Sequence, residues 1–167
     1  RKEATGYGLM FFMREMLGAH DICLKDKTVT ISGSGNVAIY ACEKAQAMGA
    51  KVVAMSDSNG AIYDENGIDL DCVKEIKEVN RGRIKEYLDS HKNAKYIEKS
   101  GTENPVWTIK TDIALPCATQ NELVLEDAKN LVANGVIAVG EGANMPCSEE
   151  ATLYLQEHKV LVAPAKA

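Results

Sequence analysis

Apolar positions along the chain fall into short near-continuous runs separated by amphipathic stretches, so that two periodicities alternate. Thr28–Ile31, Lys51–Ser56, Thr111–Leu115, Val136–Val139 and Val160–Ala163 are runs of strand length. Helical spacing fills the gaps. In residues 3–18, Tyr7, Met10, Phe11, Arg14 and Leu17 recur on one face, with Gly18 as a stop. Asn36 to Met48 predicts a second helix closed by Gly49. Leu70, Val73, Ile76, Val79, Ile84 and Leu88 mark a charged helix over 69–89, with Gly82 as its candidate break. Leu123 to Asn134, closed by Gly135, and a helix from Ser148 to about Glu157 complete the set.

Two stretches interrupt this rhythm. Ser58–Gly67 carries two Asn-Gly turns around Ala-Ile-Tyr and predicts a loop or small hairpin. His91–Lys110 is polar and irregular around Pro105 and Trp107, and predicts a loop with one short strand. Elsewhere strand and helix alternate. The expected fold is therefore α/β, a Rossmann-like, doubly wound and mostly parallel sheet in a single domain over residues 1–167.

The first strand runs into Gly33, Ser34, Gly35, Asn36, Val37 and Ala38, which fit G-x-G-x-x-G/A. Gly33 turns the chain sharply, Gly35 leaves room for a pyrophosphate, and Ala38 lets the helix lie close on the sheet. The helix N-terminus then offers free N–H groups to phosphates. Taken alone this signature is weak, because glycine-rich turns are common. Its context strengthens it: the second strand ends in Asp57, about 20 residues beyond the glycines, where a ribose-binding acid belongs. A plain βαβ turn with a solvated acid is the alternative.

Ligands of open α/β sheets bind at the carboxyl ends of the strands. Ser32–Asn36, Asp57–Ser58, Pro116–Asn121 and Glu141–Asn144 all fall at that edge and are rich in small or polar residues. No Ser-His-Asp, Cys-His or metal-ligand pattern accompanies them, so catalytic and metal-ligating residues are both expected to be none. His20, His91 and His158 read as solvent-facing.

Composition narrows the class. The 167 residues are 46% hydrophobic and 26% charged, with a net charge of −5 and no basic tract, which disfavours a nucleic-acid partner or an anionic membrane surface. No apolar run approaches the roughly 18 residues of a membrane span. The five cysteines are odd in number and lack C-x-x-C spacing. They read as buried or half-buried free thiols in a reducing compartment, so the cytoplasm is expected. The chain opens at Arg1 and stops at Ala167 directly after an apolar strand, which predicts a piece of a longer protein.

Four ordered motifs carry a family resemblance. Arg1-Lys-Glu-Ala-Thr-Gly-Tyr-Gly8, Ser32-Gly-Ser-Gly-Asn-Val-Ala38, Asp112-Ile-Ala-Leu-Pro-Cys-Ala-Thr-Gln-Asn-Glu122 and Glu141-Gly-Ala-Asn-Met-Pro146 resemble the small hexameric glutamate dehydrogenases. The resemblance covers essentially the whole chain and implies its cofactor-binding domain. The parent reaction would take glutamate to 2-oxoglutarate and ammonia by hydride transfer to NAD(P), in a homohexamer. The substrate domain with its catalytic lysine and aspartate, and a C-terminal extension, would lie outside this chain, leaving it to bind cofactor at most.

By the same resemblance, Thr5 falls near the nicotinamide carboxamide and Gly33 to Val37 around the pyrophosphate. Asp57 and Ser58 fall at the adenosine ribose, Ala118 and Thr119 along the cofactor, and Asn144 near the nicotinamide ribose. One sheet strand would be reversed. Asp57 alone argues for NAD, whereas Ser56-Asp57-Ser58 resembles NADP-dependent members that add a basic side chain from the next helix. Lys77, Arg81 and Arg83 are the candidates, with Arg81 first by position. NADP is the expected cofactor, with NAD use open. Another amino-acid dehydrogenase, or a non-catalytic nucleotide sensor, is the alternative.

Overall fold

The computed structural model describes residues 4–101 and 104–164; the opening Arg1-Lys-Glu of the first motif and the final Ala165–Ala167 lie outside them. Seven strands form one sheet in the order β4-β3-β2-β1-β5-β6-β7. They are β1 Thr28–Ser32, β2 Lys51–Ser56, β3 Gly60–Tyr63, β4 Lys95–Glu98, β5 Ile113–Pro116, β6 Ala138–Gly140 and β7 Leu161–Ala163. β1 pairs in parallel with β2 and with β5, and β5, β6 and β7 follow in parallel. β3 runs antiparallel to both β2 and β4, so it alone is reversed. The Ser58–Gly67 stretch is thus a hairpin arm that continues the sheet.

The two faces of the sheet differ in bulk. Val29, Ile31, Val52, Met55, Ile62, Ile113 and Leu115 face helices α1 (Ala4–Gly18) and α2 (Asn36–Ala47). Ala54, Ala61, Ala114 and Val139 face the other way, towards Trp107, Leu123, Leu131 and Leu155. Small residues there leave room for the indole of Trp107, which is fully buried. Trp107 lies on a 3₁₀ turn, Pro105–Thr108, inside the segment expected to be irregular.

Helix α1 lies directly on α2. A Cβ on Gly6 would sit 2.6 Å from the Ala41 nitrogen, so the two backbones meet there. Met10, Met13 and Leu17 are buried beneath α1, whereas Phe11 and Phe12 remain 42% and 39% exposed. The Tyr7 hydroxyl and Lys74 Nζ both bond to Glu43, the latter at 2.7 Å, tying α1 and α2 to helix α3 (Leu70–Lys74).

The helix expected over 69–89 is broken into pieces. Asp69 caps α3 (Leu70–Lys74), which loosens into a π turn at Glu75–Val79. Arg81 adopts a left-handed φ of +52°, and a 3₁₀ turn at Ile84–Glu86 leads into α4 (Tyr87–Ser90). The break begins before Gly82, the residue expected to cause it, because the π turn already leaves the helical hydrogen-bond register. Helices α5 (Leu125–Ala133) and α6 (Glu149–Glu157) cover the far face, and Ser148 Oγ caps α6 by accepting from the Ala151 N–H at 3.2 Å.

Two further expectations change. Cys23 is exposed, unlike the buried Cys42, Cys117 and Cys147. His91 does not face solvent freely: it stacks on Tyr87 and approaches Asp69 Oδ2 at 3.2 Å.

Candidate functional site

The carboxyl ends of β1, β2 and β5 open into one cleft of about 850 Å³, at the point where the chain departs from β1 in opposite directions along the sheet. Gly33 takes a φ of +89°, a left-handed turn that glycine adopts without strain. Its N–H donates to Ser56 Oγ at 3.0 Å, and Ser56 Oγ also accepts from Asn104 Nδ2 at 3.0 Å. Ser32 Oγ accepts from the Cys117 N–H at 2.9 Å. Two serines thus lock three strand ends into a common edge.

Gly35 is the N-cap of α2, and no side chain caps that helix. A Cβ built on Gly35 meets nothing within 4 Å, so it would project into open space at the cleft. An uncapped N-terminus beside such a gap is an arrangement suited to an anionic group, and a dinucleotide pyrophosphate fits it.

Gly33 to Val37, Asp57, Ser58, Ala118 and Thr119 all line this cleft. Asp57 is not a free acid. Its Oδ1 accepts from the N–H groups of Asn59 (2.9 Å) and Gly60 (3.2 Å), and its Oδ2 from the N–H of Ile84 (2.9 Å). The N–H groups of Ala118 and Thr119 donate to Glu122 Oε2 at 2.8 and 2.9 Å. These two residues therefore offer the cleft side-chain surface rather than backbone donors.

Arg81 does not line the cleft, whereas Lys77, before its left-handed turn, and Arg83, after it, both do. Arg83 Nη1 donates to Ser58 Oγ at 2.9 Å, placing a guanidinium just beyond the end of β2. Lys77 Nζ donates to the Gly82 carbonyl at 3.1 Å, and Lys99 also reaches this end. Arg81, the first candidate by position, gives way to Arg83 because the π turn and the left-handed Arg81 take the segment out of helical register.

Thr5 is exposed on the first turn of α1, in a separate depression shared with Gly8, Phe12, Glu141 and Pro164. Asn144 is exposed in the loop after β6, which is held to the β5 exit loop by the Ala143 N–H bond to the Pro116 carbonyl (3.1 Å). Neither lines the main cleft. Both lie in segments beside the carboxyl edge.

Glu122 escaped the sequence reading. It lines the cleft, and its Oε1 is buried with no hydrogen-bond partner. Burial pushes its carboxyl above the ordinary carboxylate value, against the lowering effects of the nearby Ser32 hydroxyl and of the Thr119 and Ala118 N–H groups. The only signal was its position, three and four residues after the N–H groups that it accepts from. Burial likewise raises the thiols of Cys117 and Cys42, the latter to about 12, so neither serves as a thiolate nucleophile. Among the described residues no cluster of His, Cys, Asp or Glu could hold a metal ion, and no helix is long and apolar enough to cross a membrane.

The glutamate/leucine/phenylalanine/valine dehydrogenase family model matches residues 1–167. This chain belongs to that family. It is 54% identical over 162 residues to the NADP-specific glutamate dehydrogenase of Helicobacter pylori, covering 93% of this chain and 36% of that protein. To the NAD(P)-specific enzyme of Xylanibacter ruminicola it is 51% identical over 170 residues, covering 100% and 37%. The solved glutamate dehydrogenase of Plasmodium falciparum superposes with a TM-score of 0.93 at 42% identity, over 100% of this chain and 36% of that one. The chain thus spans little more than a third of the length of the dehydrogenases it matches, and over that third it shares their fold.

Proposed function

We propose that this chain is the dinucleotide-binding domain of an NADP-preferring glutamate dehydrogenase, residues 1–167 forming that one domain. When bound, the nicotinamide supplies the hydride acceptor for oxidising glutamate to 2-oxoglutarate and ammonia. The chain's own part is to bind and orient it. The uncapped α2 terminus and Gly35 receive the pyrophosphate, while Ala118 and Thr119 flank the middle of the cofactor. Thr5 and Asn144 serve the nicotinamide end, beyond the main cleft. Substrate-binding and proton-transfer groups belong to the rest of the parent protein, which we read as a homohexamer of the cytoplasm.

The observation that carries the cofactor choice is the Arg83–Ser58 contact at the end of β2. A guanidinium and a hydroxyl converging there can bond a 2′-phosphate, and Lys77 and Lys99 add positive charge. The names of the Helicobacter and Xylanibacter relatives agree with NADP use. Calorimetric titration tests the reading. NADP should bind more tightly than NAD. Arg83→Ala should weaken NADP binding by about tenfold, the worth of one charge-assisted hydrogen bond, and leave NAD unchanged. Arg81→Ala should change neither. NAD binding at least as tightly as NADP in the unmutated chain overturns the reading.

A further inference from the structure

An acid at the end of the second parallel strand ordinarily accepts from a ribose hydroxyl and repels a 2′-phosphate. Asp57 stands at that place beside an arginine suited to the opposite task. Its hydrogen bonds resolve the conflict. A carboxylate offers about four acceptor positions, and here three are taken by backbone N–H groups. Two of these bonds close the turn after β2. The third reaches 27 residues along the chain to Ile84, the neighbour of Arg83.

The segment around Arg83 is irregular and needs such an anchor. The π turn at Glu75–Val79 and the left-handed Arg81 take it out of helical register. Glu86 Oε2 accepts from the Arg83 N–H at 2.9 Å, and Lys77 Nζ bonds to the Gly82 carbonyl; both bonds close the segment on itself. Asp57 joins it to the sheet. Arg83 then reaches Ser58, one residue beyond the anchor.

We propose that Asp57 is a positioning residue for 2′-phosphate recognition: it ties the 80–86 turn to the end of β2 and so aims Arg83 at Ser58, rather than serving as a ribose ligand. The acid that formally argues against NADP thereby supports its binding. This inference rests on the NADP reading.

The test titrates adenosine 2′,5′-bisphosphate and adenosine 5′-monophosphate into the chain and into Asp57→Asn, Asp57→Glu, Arg83→Ala and the Asp57→Asn/Arg83→Ala pair. Asp57→Asn removes the charge but leaves an amide that cannot accept on both sides. Asp57→Glu keeps the charge and displaces it. Each should lose about tenfold in bisphosphate affinity, comparable to losing the guanidinium contact itself, with monophosphate affinity unchanged. That retained monophosphate binding also reports that the variants fold. In the Arg83→Ala background Asp57→Asn should cost nothing further, because the two act through one contact.

A ribose ligand behaves oppositely. Asp57→Asn would then tighten bisphosphate binding and weaken monophosphate binding, and Asp57→Glu would resemble the parent. Either result, or additive losses in the double variant, overturns the inference while the NADP reading stands. If the unmutated chain binds the bisphosphate no more tightly than the monophosphate, the NADP reading itself falls and takes this inference with it.

Discussion

The cleft is built by two regions that work by different means. On one side, β1, α2 and β5 present mostly backbone: a left-handed Gly33, the open position of Gly35 and an uncapped helix end. On the other, the segment from Asp57 to Tyr87 presents the side chains of Asp57, Ser58, Lys77 and Arg83 and is held by long-range bonds, with Arg83 on Ser58, Ile84 on Asp57 and, behind the cleft, Tyr87 on Asp64. The first region is regular parallel α/β structure. The second contains the reversed strand β3, a π turn and a 3₁₀ turn. A pyrophosphate is common to all dinucleotides and is met by backbone geometry that few sequence changes can alter. A ribose substituent distinguishes cofactors, and side chains on an irregular segment can change without disturbing the sheet.

The largest effect should come from breaking the backbone region. Gly35 has φ −84° and ψ −165°, which any L residue adopts, and its Cβ direction is open. Gly35→Val should therefore fold normally yet fill the approach of the pyrophosphate. We expect NADP and NAD affinity to fall together by about a hundredfold or more, roughly 3 kcal/mol. Calorimetry with a thermal melt decides it. Unequal losses for the two cofactors would mean that the two regions are not separable in this way.

The same contrast explains what the sequence made legible. β1, β2, β5, β6 and β7 emerged from hydrophobic runs because strands buried on both faces need apolar residues throughout. The glycine turn emerged because only certain residues fit it. The stretch from 69 to 89 kept helical spacing at Leu70, Val73, Ile76 and Ile84, all buried, although the backbone breaks between them. Val79, from the same periodic set, is 73% exposed at the end of the π turn, so periodicity says little about a one-residue change of hydrogen-bond register. That register placed Arg83 rather than Arg81 on the cleft. Glu122 was illegible for a related reason: a polar residue in a loop looks solvated until the fold half-buries it and closes over one carboxylate oxygen.

A second, smaller effect sharpens the comparison from the other side. Tyr87 is fully buried; its hydroxyl donates to Asp64 Oδ2 at 2.8 Å and accepts from the Asp69 N–H at 2.9 Å. Tyr87→Phe keeps the ring and strands both partners. Losing two such bonds should lower unfolding stability by about 2 kcal/mol. Because neither Tyr87 nor its partners line the cleft, NAD binding should be unchanged. Urea denaturation and an NAD titration check the two halves of that statement.

The smallest effect lies at Glu122, where the backbone region itself depends on a side chain. Its Oε2 collects the Ala118 and Thr119 N–H groups, while Oε1 is buried without a partner. Burial outweighs the opposing effects of the Ser32 hydroxyl and of those two N–H groups, and raises the carboxyl pKa in the folded state above its ordinary 4.5. The folded chain therefore holds this proton more tightly than the unfolded chain. The resulting stability is fully present below about pH 4, near the unfolded carboxylate value. It is lost as pH rises through the folded pKa. Glu122→Gln keeps an oxygen for the two N–H groups and has no proton to lose. The stability difference, parent minus variant, should fall as pH rises from 4 and level off above the folded pKa. Urea unfolding of both proteins at intervals from about pH 4 to pH 8 measures it, spanning the ordinary and the raised carboxylate ranges. A difference that grows with pH would mean that the N–H bonds outweigh burial, and that Glu122 is an ordinary loop-capping carboxylate.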